Sequence, residues 1–282
     1  MQILRTPTEM QEWSLEARHL GQSVGFVPTM GALHRGHATL MRHSVQENNV
    51  SVLSIFVNPT QFNVADDFAK YPRTFETDLE IARENQISAV YAPTVETMYP
   101  PSSSVTVQPG TASHGMEGAM RPGHFEGVTT VVAKLFNSVL PHRAYFGKKD
   151  YQQLAVIRQM VVDLNFPIEI VGVDTVREAD GLALSSRNVR LTQQHRDHAS
   201  AISQGLFTAL RMHQSGVHDS QKLKEEVNST VSESQLAKIE YIEICHPATL
   251  TPVINTQDGA VICVAAWYGD VRLIDNIELP ST

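Results

Sequence analysis

Two histidines lie three residues apart in the stretch VPTMGALHRGH, directly after the first strongly apolar segment of the chain. A pair of imidazoles at this spacing can bind a metal ion, serve as core or helix-capping side chains, or contact a phosphate. A zinc site needs a third ligand, and neither Cys nor Glu lies near His34 and His37 in the sequence. The metal interpretation is therefore the weakest, while the structural and phosphate interpretations both stay open.

The residues around the pair favour phosphate recognition. Met30 and Gly31 follow a predicted strand, and Gly36 opens the next helix together with His37. A helix N-terminus offers unpaired N–H donors and a partial positive charge. Two imidazoles on the entering turn add donors aimed at the same place, and Gly36 leaves room for a ligand to approach the backbone. The pattern predicts a nucleotide-phosphate site without a Walker lysine.

Two further segments contain groups that suit a polyphosphate. The segment LSSRN, residues 184–188, combines two hydroxyls with a guanidinium. The segment FGKKD, residues 146–150, places lysines where a predicted strand meets a helix. Taken alone, the first is also an ordinary loop and the second a solvated turn. Their value as evidence depends on their lying near the histidine pair.

Side-chain amides occur at two other predicted strand or helix ends. One is in NPTQF, residues 58–62, and the other is Gln153, on the helix that follows Lys149. Amides bind hydroxyl and carboxylate groups without committing a charge, which suits a hydroxylated or carboxylated substrate. Either amide alone is more often structural than functional.

Apolar runs alternate with amphipathic segments over the first two thirds of the chain. The predicted strands are 23–29, 50–58, 87–93, 143–147 and 168–176, and the predicted helices are 37–48, 75–86, 128–140 and 150–166. This alternation is typical of βαβ units and predicts an α/β fold with a parallel sheet. Such sheets bind ligands beyond the carboxyl ends of their strands, and the segments singled out above lie at such ends.

The pattern changes near residues 177–185, where we predict a domain boundary. Beyond it we expect helices at 191–214, with Thr192 as the N-cap, and at 219–234. Strands are expected at 239–244 and 260–279, the latter turning at Tyr268-Gly269-Asp270. A small antiparallel sheet with two helices predicts a second, α+β domain.

Composition limits the possible classes of protein. The chain has 282 residues, 42% of them apolar, and its 22 basic and 30 acidic side chains give a net charge of −8. This balance argues against a general nucleic-acid binder. Two cysteines cannot build a disulfide framework or a Cys-rich zinc site. We see no signal peptide and no apolar run near the roughly 18 residues of a membrane helix, so we expect a soluble, cytoplasmic protein without a membrane partner.

Taken together, the motifs resemble those of the pantoate–β-alanine ligase family. The resemblance rests on PTMGALHRGH, FVNPTQF, YPRT, RPGHFEGV, FGKKDYQQL, GLALSSRN and AAWYGDVRLIDN, which occur in the family's order from about residue 24 to 276. It is weakest at 192–258. The family belongs to the nucleotidyltransferases with a paired H-x-G-H, and Ser185-Ser186-Arg187 stand where class I aminoacyl-tRNA synthetases have K-M-S-K-S.

This resemblance implies a Rossmann-like doubly wound parallel sheet with a small C-terminal α+β domain. Residues 1–177 would bind ATP and pantoate, and residues 185–282 would form a lid. The implied reaction is a two-step ligation. The carboxylate of (R)-pantoate attacks the α-phosphorus of ATP, with Mg²⁺ assisting the departure of pyrophosphate, and β-alanine then attacks the pantoyl adenylate. The family is typically a homodimer.

The resemblance also implies roles for individual residues. His37 would be the family's catalytic histidine, acting mainly as a hydrogen-bond donor to the α-phosphate, with His34, Lys149 and Arg187 alongside it. The implied ATP site comprises Met30, Gly31, Ala32, Leu33, His34, Arg35, Gly36, His37, Gly147, Lys148, Lys149, Asp150, Val176, Leu184, Ser185, Ser186 and Arg187. Gln61 and Gln153 would bind pantoate, and Gln61 would also serve β-alanine. Further candidates are Asn58, Tyr71, Glu117 and Arg121. No protein-held metal is implied.

One residue departs from the pattern, and two rival functions remain. Many members have Glu where this chain has Lys148, which adds a positive charge beside Lys149. One rival is a related enzyme that transfers AMP to a phosphorylated acceptor; it would lack the paired amides Gln61 and Gln153. The other is a non-catalytic nucleotide-binding module or dimerisation scaffold, which would tolerate the loss of His37.

Overall fold

The computed structural model describes residues 1–63 and 65–282, with the backbone alone at residues 65–67. The chain divides into two compact units. The first, the sheet unit, comprises Met1–Lys148 and Val156–Val173, and the second, the C-terminal unit, comprises Lys149–Ala155 and Asp174–Thr282. The predicted limits of 1–177 and 185–282 were tied to binding roles and stay a prediction.

The strands and helices alternate through residue 173. The strands are β1 (Gln2–Leu4), β2 (Val24–Thr29), β3 (Val50–Ile55), β4 (Ala89–Tyr91), β5 (Arg143–Gly147) and β6 (Glu169–Val173). The helices are α1 (Pro7–His19), α2 (Arg35–Glu47), α3 (Ala65–Lys70), α4 (Phe75–Glu84), α5 (Val95–Met98), α6 (Met116–Met120), α7 (His124–Val139) and α8 (Tyr151–Asp163). Short 3₁₀ turns lie at Pro59–Gln61, Thr111–Ser113 and Lys148–Asp150.

The strands of the sheet unit form one six-stranded sheet in the order β1-β4-β3-β2-β5-β6, with parallel neighbours throughout. Helices α1 and α7 pack together on β2, while α2 and α4 pack together and α2 also contacts β3 and β5. The predicted α/β fold with a parallel sheet is confirmed. The edge strand β1 and helix α1 were not predicted, although α1 begins with a capping box between Thr6 and Glu9.

The order of the strands reverses between β2 and β5. From β2 the chain proceeds outward to β3 and β4, and it then returns to form β5 and β6 on the other side. Strand β2 pairs with β3 from Val24 to Thr29, whereas its register with β5 covers only Gly25 and Phe26 among the described residues. The carboxyl ends of β2 and β5 are therefore not joined by strand pairing. Open α/β sheets bind their ligands at such a switch point.

Helix α2 is held against the middle of this sheet at its C-terminal end. A Cβ on Gly25 would collide with Ser44 Oγ and lie 2.6 Å from Asn48 Nδ2, so glycine permits the close approach of helix and strand. Tyr145 on β5 accepts a hydrogen bond from Asn48 Nδ2 (2.8 Å) and donates one to the carboxylate of Glu47 (2.9 Å). Burial, together with that hydrogen bond to Glu47, raises the pKa of Tyr145, so the phenol remains a donor.

The C-terminal unit has its own core. Its main elements are α9 (Gln193–Ala199), α10 (Ala201–Gln214), α11 (Ser220–Ser232), β7 (Ala237–Cys245), β8 (Ala260–Tyr268) and β9 (Val271–Leu279), with a 3₁₀ turn at Asn188–Arg190. The three strands form an antiparallel sheet in the order β7-β8-β9. Leu206, Val227, Val264 and Leu273 are among the apolar side chains buried together in this core. The small α+β domain expected from the sequence is confirmed as a fold.

The helix predicted at 191–214 is in fact two helices. Thr192 is the N-cap of α9, as predicted, and its hydroxyl accepts the N–H of His195. The chain then leaves α9 at Ser200 and begins α10 at Ala201. Neither Pro nor Gly lies at this break, and the apolar spacing of Ala199 and Ile202 continues across it, which is why the pattern indicated one helix. Among the helices in the described part of the chain, none is long and apolar enough to span a membrane.

The packing at Gly25 generates a stability prediction. We expect Gly25→Ala to lower the free energy of unfolding by about 1–3 kcal/mol, because Ser44 and Asn48 must move away from the new methyl group. Urea unfolding should show a lower midpoint with an unchanged slope. The matched control is Gly110→Ala, where an added Cβ meets nothing within 4 Å. An equal midpoint shift in both variants would contradict the proposed close packing.

Candidate functional site

The loop after β2 is fixed by hydrogen bonds from its first residues onward. Thr29 donates its hydroxyl to the carbonyl of Ser54 on β3 (2.6 Å) and accepts the N–H of Gly31 (3.2 Å). Gly31 and Ala32 then adopt positive φ angles of 80° and 50°. Glycine is favoured at the first of these positions because L side chains rarely adopt this conformation. The loop therefore reverses sharply before it enters α2.

A buried carboxylate holds this loop from the outside. Asp78 on α4 is 1% exposed, and its two oxygens accept the backbone N–H groups of Ala32 (3.0 Å) and Leu33 (2.8 Å). Thr74 donates its hydroxyl to the same carboxylate (3.2 Å). A Cβ on Gly31 would lie 2.9 Å from Asp78, so the glycine is also needed for this approach. Asp78 thus provides acceptors for two half-buried backbone donors of the loop.

Asp78 was not among the residues predicted from the sequence. Its signal was available in FETDLEIARENQ, where Phe75, Asp78, Leu79 and Ala82 recur at helical spacing. A carboxylate in the middle of an apolar helix face requires partners, since an isolated buried charge is costly. Which amides it would meet could not be read from the sequence.

The two histidines form the N-terminal cap of α2. His34 is the N-cap residue, and its Nδ1 accepts the N–H of Gly36 (3.1 Å). The Nδ1 of His37 accepts the N–H of His34 (3.2 Å), and the ring centroids lie 4.1 Å apart. A Cβ on Gly36 would lie 2.8 Å from the His34 ring, so this glycine makes room for the cap. The capping interpretation is therefore realised in the structure.

Capping does not compete with phosphate binding in this geometry. In a neutral imidazole one nitrogen accepts and the other donates. Because Nδ1 accepts a backbone N–H in both His34 and His37, the proton of each neutral ring lies on Nε2. Both rings are half-buried at the start of a helix that follows the switch point of the sheet. The cap thus fixes the tautomer that can donate to an anion.

Gln61 lies beside this loop. It closes the 3₁₀ turn after β3, and its Oε1 accepts from Asn58 Nδ2 (3.1 Å), while Gln61 Nε2 lies 3.2 Å from the sulfur of Met30. Asn58 is 1% exposed and also donates to the carbonyl of Gly127 on α7 (3.1 Å). Tyr99 donates its hydroxyl to Asn58 Oδ1 (2.8 Å). The structure therefore brings the predicted residues Met30, Asn58 and Gln61 together.

Basic side chains near α7 hold the backbone of Gln61. Its carbonyl lies 2.9 Å from His124 Nδ1 and 3.3 Å from Arg121 Nη2. Glu117 and Arg121 are 3.9 Å apart, so both candidates lie in this group. His124 is buried and was missed, although it is the histidine of the RPGHFEGV motif. The candidate Tyr71 packs edge-on against Phe62, the residue after Gln61, with centroids 5.7 Å apart.

The end of β5 leads into a lysine-containing turn. Gly147 ends the strand, and residues 148–150 form a 3₁₀ turn before α8. The side chain of Lys149 is 18% exposed, and its Nζ lies 3.9 Å from Asp150 Oδ1. Gln153 is half-buried in the first turn of α8. The predicted point charge and the second amide therefore lie on one short segment.

The remaining predicted residues lie on a turn of the C-terminal unit. Leu184 donates its N–H to the carbonyl of Val176 (2.9 Å), and the hydroxyl of Ser185 accepts the N–H of Arg187 (3.2 Å). The hairpin that leads to this turn is held by Arg196, which pairs with Glu178 and Asp180. The hydrogen bond from Arg196 lowers the pKa of the Asp180 carboxyl. Residues 184–188 are half-buried, so this segment is partly accessible to solvent.

The two units thus contain separate sets of predicted residues. In the sheet unit, residues 30–37, Gln61, Gly147 and Lys148 lie at the carboxyl ends of β2, β3 and β5. In the C-terminal unit, residues 149–153, Val176 and 184–187 lie on the lysine turn and the hairpin. Each set contains backbone or side-chain N–H donors together with one of the two predicted amides, Gln61 or Gln153. Within residues 1–63 and 68–282, whose side chains the structure describes, no group of three or more His, Cys, Asp or Glu side chains is placed to hold a metal ion.

Comparison with known proteins assigns this arrangement to a described family. The model described as pantoate-beta-alanine ligase matches residues 2–278. A pantothenate synthetase from Sulfurihydrogenibium sp. (strain YO3AOP1) is 47% identical over 279 residues, which cover 99% of this chain and 100% of that protein. The chain is therefore similar to this relative along its whole length.

Solved structures show the same similarity. The pantothenate synthetase from Thermus thermophilus is 43% identical, with a TM-score of 0.93 over 99% of this chain and 100% of that one. The pantoate-beta-alanine ligase from Francisella tularensis, complexed with beta-gamma ATP and beta-alanine, is 35% identical, with a TM-score of 0.80 over 98% of this chain and 97% of that one.

Asp78 generates a test of how the histidine loop is held. We expect Asp78→Ala to lower the free energy of unfolding by about 1–3 kcal/mol, because the N–H groups of Ala32 and Leu33 lose their acceptors. Amide hydrogen exchange should accelerate at those two residues in particular. The control is Glu80→Ala, an exposed carboxylate on the same helix. Unchanged exchange at Ala32 and Leu33 would show that the carboxylate does not hold the loop.

Proposed function

Because the chain belongs to the pantoate–β-alanine ligase family, we propose that the donors described above bind ATP and pantoate for that reaction. The enzyme is an ATP-dependent ligase that condenses (R)-pantoate with β-alanine and releases AMP and pyrophosphate. The observation that supports the assignment of the site most strongly is the histidine-capped helix at the switch point of the sheet.

The first step joins two anions. A carboxylate oxygen of pantoate attacks the α-phosphorus, the bond to the bridging oxygen of pyrophosphate breaks, and pantoyl adenylate forms. Negative charge is concentrated on the α-phosphate oxygens as this happens. We assign the Nε2–H groups of His37 and His34 to those oxygens, since the cap fixes the tautomer that donates. Donors that are already oriented stabilise developing charge without reorganisation.

Lys149 and Arg187 supply positive charge to the phosphates. A lysine acts as a point charge, whereas a guanidinium presents a planar fork that fits two phosphate oxygens. Ser185 and Ser186 add hydroxyl donors beside Arg187. Lys148 adds a second ammonium at the same turn, and we assign it to the ATP site as well. These residues complete the proposed ATP site with 30–37, Gly147, Asp150, Val176 and Leu184.

Gln61 and Gln153 are proposed to bind the pantoate. Amides hydrogen-bond hydroxyl and carboxylate groups without adding a charge that would compete with the phosphates. Gln61 suits this role because Asn58, Arg121 and His124 fix its side chain and backbone. We also assign Gln61 to the β-alanine position. An enzyme that transfers AMP to a phosphorylated acceptor has no need of this amide pair.

The second step needs no protein nucleophile. The neutral amine of β-alanine attacks the acyl carbon of pantoyl adenylate, the acyl–oxygen bond breaks, and AMP leaves with that oxygen while the nitrogen releases one proton to solvent. The requirement is to hold the two reactants in contact. We propose that Mg²⁺ enters bound to the phosphates of ATP, as part of the substrate. Mg²⁺ commonly relies on substrate phosphates and a few carboxylates rather than on a protein-built cage.

Three further features belong to the same proposal. We assign ATP and pantoate binding to residues 1–177 and a lid role to residues 185–282. We also propose a homodimer, which rests on the family resemblance alone, and a cytoplasmic location, as expected from the sequence. Light scattering on the purified enzyme tests the dimer directly.

Pyrophosphate–ATP exchange tests the proposed function. With MgATP, (R)-pantoate and labelled pyrophosphate, but without β-alanine, we expect label to enter ATP only when pantoate is present. This outcome would demonstrate reversible formation of an acyl adenylate. If ATP binds but no pantoate-dependent exchange occurs, the reaction is not this ligation, and transfer of AMP to phosphorylated acceptors is the alternative to measure.

The same assay tests the assignment of His37. We expect His37→Ala to slow exchange by about two orders of magnitude or more, the usual scale for losing an oriented charge-stabilising donor. The control is His43→Ala, because the side chain of His43, on the same helix, is 44% exposed. Near-normal exchange in His37→Ala would remove this residue from the mechanism.

Gln153 is tested by a comparison of substrates. We expect Gln153→Ala to raise the KM for pantoate far more than the KM for ATP, since the amide is assigned to the acid alone. Gln159→Ala is the control, because Gln159 is exposed on the same helix and bonded to Asp163. An equal rise in both KM values would place Gln153 outside the acid pocket.

A further inference from the structure

Two adjacent residues on β9, Asp275 and Asn276, are buried although both are polar. They are 4% and 6% exposed. Successive side chains of a strand point to opposite faces of the sheet. Leu273 and Leu279, which share the parity of Asp275, lie in the core formed with α10 and α11. Asn276 therefore faces away from that core, on the same face as Glu278.

Asp275 binds the base of the hairpin that presents residues 184–187. Its carboxylate accepts two hydrogen bonds from the guanidinium of Arg177, at 2.6 and 2.9 Å. Arg177 also donates to the carbonyl of Gly181 (3.0 Å), and its backbone bridges to Ala183. Burial raises the pKa of Asp275, and the Arg177 guanidinium opposes that rise by favouring the ionised form. The hairpin is thus attached to β9 by the bidentate ion pair between Arg177 and Asp275.

Asn276 binds the lysine turn from the other face. Its Nδ2 donates to the backbone carbonyl of Lys149 (2.8 Å), a residue 127 positions away in the sequence. Two residues further along the strand, Glu278 accepts a hydrogen bond from the hydroxyl of Tyr151 (3.0 Å). The segment 149–151 is therefore fixed to one face of β9 while the hairpin is fixed to the other.

The two attachments meet at consecutive residues of one strand. Asn276 donates its own N–H to Asp275 Oδ1 (2.8 Å), and Arg177 Nη2 lies 3.3 Å from the carbonyl of Asn276. A shift of either side chain would therefore disturb the other attachment. These two adjacent residues therefore attach Lys149 and the hairpin to the same point of β9.

We propose that Asp275 and Asn276 are positioning residues for adenylation, which hold Lys149 and the 184–187 turn at a fixed separation for the phosphates of ATP. This inference rests on the proposed function, because it assigns both segments to ATP. In this proposal neither residue contacts the substrate. Each acts through the group that it anchors, Asn276 through Lys149 and Asp275 through Arg177 and the hairpin.

The consequence is a selective loss in the first step. A misplacement of about 1 Å in a group that positions reactants costs up to about a hundredfold in rate. We expect Asn276→Ala to lower kcat/KM for ATP in pyrophosphate exchange by about tenfold or more. The KM for pantoate should change little. The rate at which β-alanine consumes chemically prepared pantoyl adenylate should also change little, because that step no longer involves the triphosphate.

A double-mutant cycle separates positioning from general stability. ATP affinity is measured by NMR titration in the wild type, Asn276→Ala, Lys149→Ala and the double variant, so that the result does not depend on residual turnover. If Asn276 acts through Lys149, its removal should weaken ATP binding much less when Lys149 is already alanine. Likewise, Asp275→Asn should weaken ATP binding much less when Arg187 is already alanine. Equal effects in both backgrounds would overturn the proposal.

The matched control is Thr256→Val. Thr256 is fully buried in the same unit and bonded to His213, away from the hairpin and the lysine turn. It should lose stability in urea yet retain exchange. If it loses exchange as Asn276→Ala does at equal loss of stability, the role of Asn276 is structural only. Asn276→Asp, which keeps the side-chain volume but removes the donor, is the second variant, and unfolding of both Asn276 variants would also overturn the proposal.

Failure of this inference is distinguishable from failure of the proposed function. A wild-type enzyme without pantoate-dependent exchange would refute the function itself. A wild-type enzyme with exchange, together with an Asn276→Ala variant of normal ATP affinity, would refute only the positioning role.

Discussion

The arrangement of the sheet unit depends on how the amides between β2 and α2 are satisfied. A loop that turns sharply at the carboxyl end of a buried strand exposes several N–H groups to the interior, and each needs an acceptor. The carboxylate of Asp78 accepts hydrogen bonds from the N–H groups of Ala32 and Leu33. The two imidazole rings accept hydrogen bonds from the N–H groups of His34 and Gly36. The donors that we assign to a ligand are then those of the imidazoles. Their direction is set by the cap rather than by the ligand.

This arrangement explains why structural and functional interpretations of a motif need not exclude each other. A capping histidine is usually regarded as a local device for starting a helix. Here the cap determines which nitrogen of His34 and of His37 has the proton, and it does so with backbone groups that cannot move without unwinding the first turn of α2. The same residues therefore stabilise the helix and define its chemistry.

Local patterns predicted much of the fold, and long-range pairing accounts for what they missed. Apolar spacing and turn residues indicated the buried strands β2 and β3, the helix α8 and the hairpin of β8 and β9. The three-residue strand β1 was too short to stand out, and its pairing with β4 joins segments far apart in the chain. The break between α9 and α10 has no local marker.

In the candidate site, too, local patterns could be recognised from the sequence and long-range contacts could not. The histidine pair, the lysine turn and the serine–arginine turn could be recognised because each is a short run of functional side chains. Asp78 could not be paired with its amides, because they lie more than forty residues away. The contact between Asn276 and Lys149 joins distant parts of the chain, and neither residue type by itself indicates it. Groups that orient a site are harder to find in a sequence than groups that touch the substrate.

The seating of α2 on Gly25 has a mechanical consequence. The helix has 13 residues and is therefore about 20 Å long at 1.5 Å per residue. Glu47 and Asn48 attach its far end to Tyr145, and His37 lies at its near end. His37 lies ten residues, or about 15 Å, from Glu47, so a tilt of about 4° at the attached end would displace the imidazole by about 1 Å. This is the scale at which positioned reactants lose much of their rate advantage. Side chains that pack against one end of a helix can in this way determine the position of a hydrogen-bond donor at the other end.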